Sequence, residues 1–196
     1  MVRSINLKWG RVMRRAAYAI VISGVLAASS AWAFDATKYA DQLPEAQKKF
    51  LEAVDKARTD YGNAANEMAK GGARPARAKA VCAAIKPGAV VKDWIGEVTK
   101  LTTNGDGKGV LAISIGKDVS IATWNNAISD TGSNTLIEHD DPLFAKAAAL
   151  KKKAVVKVSG RFFPKKTDCV EEKSMTLNGS MTDPEYVFRF SDVTPL

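Results

Sequence analysis

The chain has 196 residues with 29 Lys plus Arg against 21 Asp plus Glu, a formal charge of +8. Five of those basic residues lie in the first fifteen positions, so the rest of the chain is close to neutral and the overall basicity is no argument for nucleic-acid binding. Two cysteines and one histidine are too few for a zinc site of the usual four-ligand kind.

Arg3, Lys8, Arg11, Arg14 and Arg15 precede an apolar run from Ala16 to Ala28, and Ala31-Trp32-Ala33 supplies small residues where a signal peptidase reads. This pattern predicts a signal peptide over residues 1–33, cleaved between Ala33 and Phe34, and a product in the periplasm or the medium. The apolar run falls short of the roughly 20 residues that span a bilayer. After cleavage, 24 basic and 21 acidic residues remain. Residues 34–86 hold ten basic and seven acidic side chains, and residues 87–196 hold fourteen of each.

From Pro44 to Lys70, Phe50, Val54, Ala57, Tyr61 and Met68 recur at helical spacing, which predicts one long helix capped by Asp41 and stopped by Gly71-Gly72. Pro75 is expected to open a second helix through Ala80, Val81, Ala84 and Ile85, giving a helical hairpin over 34–86. Beyond Pro87-Gly88 the pattern changes to strands: Val90–Leu101, Val110–Ile115 after a glycine-rich turn at Thr103–Gly109, and Val119–Trp124. A polar connection follows, then a short helix begun by Asp141-Pro142. Strands are expected again at Ala154–Phe163, in a further segment at Lys173–Leu177, and at Tyr186–Phe190.

The fold class expected is therefore α+β: an N-terminal helical hairpin followed by a barrel domain over 87–196, in the order β-β-β-α-β-β plus one additional strand. That connectivity is the one OB-folds use, with five strands in a Greek-key barrel. In an oxidising compartment, Cys82 and Cys169 are expected to form a disulfide.

Particular motifs carry a resemblance. Val91-Lys92-Asp93-Trp94-Ile95-Gly96, Asn104–Gly109, Thr123-Trp124-Asn125-Asn126, Ser129-Asp130, Thr135-Leu136-Ile137 and Phe188–Val193 resemble a group of exported bacterial proteins similar to the OB-fold family described as tRNA-anticodon-binding-like. The resemblance covers roughly residues 60 to 194. It implies the fold and assigns no ligand.

Catalytic motifs are not found in the sequence. There is no Gly-x-Ser-x-Gly elbow, and Ser129, Asp130 and His139 make a triad only on paper. Asp140-Asp141 and Glu171-Glu172 are neighbours in sequence and read as solvated turns. Asn104, Asp106 and Glu97 lack the spacing of a calcium loop. No cofactor is expected, and no enzyme activity is assigned.

The remaining candidate is a binding surface. Val119, Ile121 and Thr123 are expected to face inward, with Trp124 outward; Val156, Val158 and Phe162 inward, with Lys157 and Arg161 outward. Trp124, Asn125, Asn126, Asp130, Lys157 and Arg161 are the candidate ligand-binding residues, for an envelope glycan, a peptide or a protein partner. Single-stranded nucleic acid is the alternative. Two placements of Trp124 are open at this point: a free outward face, or burial beneath the helical stripe.

Overall fold

A computed structural model describes Met1, residues 34–86, Gly88 and residues 90–196. Residues 2–33 of the expected signal peptide, Ala33 included, lie outside the described residues. Among the described residues, no helix is long and apolar enough to cross a membrane.

Phe34 is buried and stacks on Tyr39, with ring centroids 5.5 Å apart, and Asp35 caps the short 3-10 turn Ala36–Tyr39 by accepting from the Thr37 amide. Helix α1 spans Glu45–Gly62 and buries the expected stripe of Phe50, Val54, Ala57 and Tyr61. Its cap position is Pro44, and no side chain caps it, so the cap expected from Asp41 is not made.

The hairpin turn also falls elsewhere than expected. The chain breaks at Asn63–Asn66, where the Asn66 side chain accepts from the Ala69 amide and starts α2, Glu67–Ala84. Gly71, Gly72 and Pro75 lie inside α2, and Met68 is exposed. The side-chain cap, worth about 1 kcal/mol, offsets part of the cost of two exposed glycines, about 1 kcal/mol each relative to alanine. Pro75 has no N–H to offer the Gly71 carbonyl, and α2 is held instead through its buried face of Ala73, Arg77 and Val81.

The strands are β1 Val90–Thr103, β2 Gly109–Gly116, β3 Val119–Ala122, β4 Val155–Phe162, β5 Pro164–Lys165, β6 Cys169–Val170 and β7 Glu185–Pro195. Helix α3, Pro142–Ala148, lies between β3 and β4, with Asp141 accepting from the Leu143 amide at 2.8 Å. Helix α4, Leu177–Thr182, replaces part of the strand expected at Lys173–Leu177; the Thr176 hydroxyl accepts from the Gly179 amide and the helix buries Ser180 and Met181. Five strands form one mixed sheet in the order β1-β2-β3-β7-β4, and β1 also pairs with β4, so the sheet closes on itself. All its ladders are antiparallel except β3 with β7. Gly160 marks a close crossing: a Cβ there would fall 2.2 Å from the Arg189 carbonyl oxygen.

Phe50 of α1 reaches the aromatic interior, 5.3 Å from Trp94, 5.4 Å from Phe162 and 5.0 Å from Tyr186 between ring centroids. The helical stripe and the strands thus share one apolar core. Gln47, fully buried, reaches Ile95 beyond the last β1–β2 pair: its Nε2 donates to the Ile95 carbonyl at 2.6 Å and its Oε1 accepts from the Ile95 amide at 2.8 Å. A helix side chain takes the place of a strand neighbour there, which satisfies two backbone groups that burial would otherwise leave unpaired.

Candidate ligand-binding surface

Trp124 follows β3 and is half-buried. Its amide donates to Thr135 Oγ1 at 2.8 Å, and its indole Nε1 is buried without a hydrogen-bond partner. The cover on its ring comes from the β4–β7 connection: Lys173 Nζ lies 5.8 Å from the ring centroid and donates to the Thr123 carbonyl at 2.5 Å. Lys173 is also ion-paired with Glu185. The residue after Trp124, Asn125, accepts at Oδ1 from Lys100 of β1 at 3.1 Å. The ring contacts of α1 are with the barrel interior, so the helical stripe finds its apolar partner there.

Asp130 and Asn126 organise the loop. One Asp130 oxygen accepts from the Thr135 amide and hydroxyl at 2.6 and 2.7 Å, the other from the Leu136 amide at 3.0 Å. Asn126 Oδ1 accepts from the Ser129 amide at 2.9 Å. Asp130 is buried whereas Ser129 and His139 are exposed, and both Asp130 oxygens are occupied by the loop itself, which leaves no orienting role toward an imidazole. Asn104 likewise serves its turn, accepting from the Asp106 and Lys108 amides.

Lys157 and Arg161 are exposed on β4, alternating with buried Val156, Val158 and Phe162. Strands β3 and β4 are not neighbours, because β7 runs between them. The residue that sequence reasoning passed over is Arg189, opposite Arg161 in the β4–β7 ladder. Its signal was present in the alternation Tyr186, Phe188, Phe190, which places Arg189 on the outer face. The β3–β7 register ends at Ala122 with Val187, short of Trp124.

A second cluster, buried, was also missed. Cys82 and Cys169 are disulfide-bonded, joining α2 to the β4–β7 connection as expected. Beside that bond, Arg74 grips Asp168 with two hydrogen bonds of 2.6 and 2.7 Å. Arg77, 1% exposed, donates to Asp168 and Glu172 at 3.1 Å each and to the Ser180 hydroxyl at 2.9 Å. Glu172 is therefore not a solvated turn residue: its side chain is 3% exposed, and it accepts from Ser180 as well. Burial acts to raise the Asp168 pKa, but hydrogen bonds from Arg74 and Thr167 and the charges of Arg74 and Arg77 outweigh it and hold the carboxyl below its ordinary value. The Tyr186 hydroxyl, buried near Arg77 with no partner, has its pKa pushed far up by burial.

No family model matches this sequence, and no curated protein matches it.

Proposed function

We propose that the protein is an exported binding module of the cell envelope, built as an OB-type barrel, whose ligand is a glycan, a peptide or a protein held across Trp124. The strand order β1-β2-β3-β7-β4, the single parallel pair β3–β7 and the helix between β3 and β4 support the OB reading. Barrels of that type take oligosaccharides and oligonucleotides on the face of their second and third strands and on the loops beside it. Membership of the tRNA-anticodon-binding-like family belongs to the same proposal, and export rests on the composition of residues 1–33.

One observation carries the binding role: an indole plane at the end of β3 is approached by Lys173 of the β4–β7 connection, and the adjacent Asn125 accepts from Lys100 of β1. The plane offers stacking, and the lysines and Asn125 offer directional contacts. Single-stranded nucleic acid is the second reading, favoured by a lysine over an aromatic ring and opposed by the balance of fourteen basic and fourteen acidic residues over 87–196.

Exported protein, whose intact mass should correspond to a chain starting at Phe34, provides the test. Such a chain has two tryptophans, Trp94, which is fully buried, and Trp124. N-acetylglucosamine oligomers are expected to change the emission of the parent and not that of Trp124→Phe. Oligothymidylate supports the second reading instead if its affinity falls steeply between 50 and 200 mM salt, as phosphate contacts require. No response of Trp124 to glycan, peptide or oligonucleotide libraries removes this surface as the binding site.

A further inference from the structure

The outer face of β4 and β7 carries a feature separate from the Trp124 surface. Phe162 meets Phe188 in the core, and one residue along each strand Arg161 stands directly opposite Arg189 on the outside. Like charges placed directly opposite one another across an antiparallel pair repel and lower stability. Sheets normally relieve such a pair with a carboxylate, yet neither arginine is ion-paired among the described residues.

The neighbouring acids are engaged elsewhere. Asp192, which faces Ser159 two pairs along the ladder, is held by Lys146 at 2.6 Å. A cavity of about 300 Å³ borders Arg189 and includes Glu138 and Asp141. Glu138 is paired with Lys108 at 2.6 Å and Asp141 caps α3.

Both arginines are nevertheless positioned. Arg189 Nε donates to the Asn134 carbonyl at 2.7 Å, which orients the guanidinium and leaves its two terminal nitrogens for a ligand. The Arg161 guanidinium lies 5.9 Å from the Phe163 ring centroid. Contact of this kind with an aromatic ring restrains the group without using its N–H donors.

We propose that Arg161 and Arg189 form an oxyanion site that takes a dianionic phosphate group. One carboxylate satisfies one guanidinium fork and leaves the second charge unmatched. A phosphate with two negative charges and oxygens pointing in several directions meets both forks at once and removes the repulsion between them. The site does not depend on Trp124, so it stands or falls apart from the ligand proposed there.

The probe is inorganic phosphate, read by the thermal midpoint and by amide NMR shifts, with sodium chloride at equal ionic strength as the screening control. Phosphate is expected to raise the midpoint of the parent and to shift amides of β4 and β7 around residues 161 and 189. Arg161→Gln or Arg189→Gln alone should weaken phosphate binding at least about tenfold, the scale of one charge-assisted contact, and the double variant should not respond. In phosphate-free buffer Arg161→Gln should raise the midpoint, because it relieves the repulsion; a fall would assign the pair to holding the fold and overturn the proposal. A midpoint rise reproduced by chloride, or retained by the double variant, also overturns it. Flotation with phosphatidate-containing vesicles separates the sources. Flotation that the double variant loses identifies a lipid headgroup; a phosphate response without flotation identifies a small phosphate-bearing ligand; neither response overturns the site.

Discussion

Helices α1 and α2 are each 18 residues long, yet they are joined to the rest of the molecule by different chemistry. Helix α1 inserts Phe50 among Trp94, Phe162 and Tyr186 and adds one buried amide, Gln47, against the Ile95 backbone. Helix α2 meets the β4–β7 connection through a disulfide and a buried cluster of two arginines, two carboxylates and Ser180. The strands that α1 packs on present a continuous apolar interior, so area burial is available. The connection from Phe163 to Pro184 holds only two-residue strands and a six-residue helix; it buries Val170 in the main core and Met181 in a small apolar cluster with Ala57, Tyr61 and Ala73. A segment of that kind is ordered by bonds and charges as well as by burial, because backbone ordering costs about 1–2 kcal/mol per residue and so few apolar side chains offset only part of it.

The largest effect should come from cutting the covalent tie. Cys82→Ser with Cys169→Ser releases a loop closed over 87 residues of sequence, and the chain-entropy relation gives a loss of about 4–5 kcal/mol. Urea unfolding followed by circular dichroism measures it, and hydrogen exchange should quicken first in α4 and residues 164–173. An unchanged midpoint would mean that the ionic cluster orders the connection alone.

Next in size is Arg77→Met, which leaves Glu172 and Asp168 short of a buried cation and should cost about 3 kcal/mol. Adding Glu172→Met should recover part of that loss, since replacing a buried ion pair is cheaper than breaking one. Acid sharpens the same point. Because the Asp168 pKa is lowered in the folded chain, its contribution is fully present above the unfolded value of about 3.9 and is lost as pH falls through the folded value. The parent should therefore lose stability below about pH 4 more steeply than Asp168→Asn does.

The smallest effect belongs to the apolar side. Gln47→Leu strands the Ile95 amide and carbonyl in the core, a loss of about 2 kcal/mol on the scale of buried unsatisfied groups. Should Gln47→Leu cost more than Arg77→Met in the same urea series, both helices depend on polar fastening and the contrast between them collapses.

Much of the fold was legible because the strands alternate with period two and the turns carry glycine, asparagine or aspartate. Val156, Val158 and Phe162 are buried and Lys157 and Arg161 exposed, as that period requires. The hairpin turn was misplaced because Gly71-Gly72 is the louder local signal, while the cap at Asn66 depends on one side chain reaching the Ala69 amide. The candidate surface was half legible. Trp124 and its asparagines stand out by residue type, but Lys173 reaches Trp124 and Arg189 meets Arg161 only through the order in which the strands close. Neither Arg77 nor Glu172 is marked by sequence, because a buried charge looks like a surface charge until its partner is known.

The parallel pairing of β3 with β7 also sets an order of events. Strand β7 begins at Glu185 and supplies the neighbour of both β3 and β4, so a chain made from its N-terminus has the β1–β2–β3 meander in hand long before the strand that closes it. Until Glu185–Pro195 arrives, β3 keeps an unpaired edge, the kind of edge on which a second chain can add a strand. Closure of that gap is a contact between distant parts of the sequence and is correspondingly slow. The interval before β7 docks is therefore the one in which aggregation through that edge is expected.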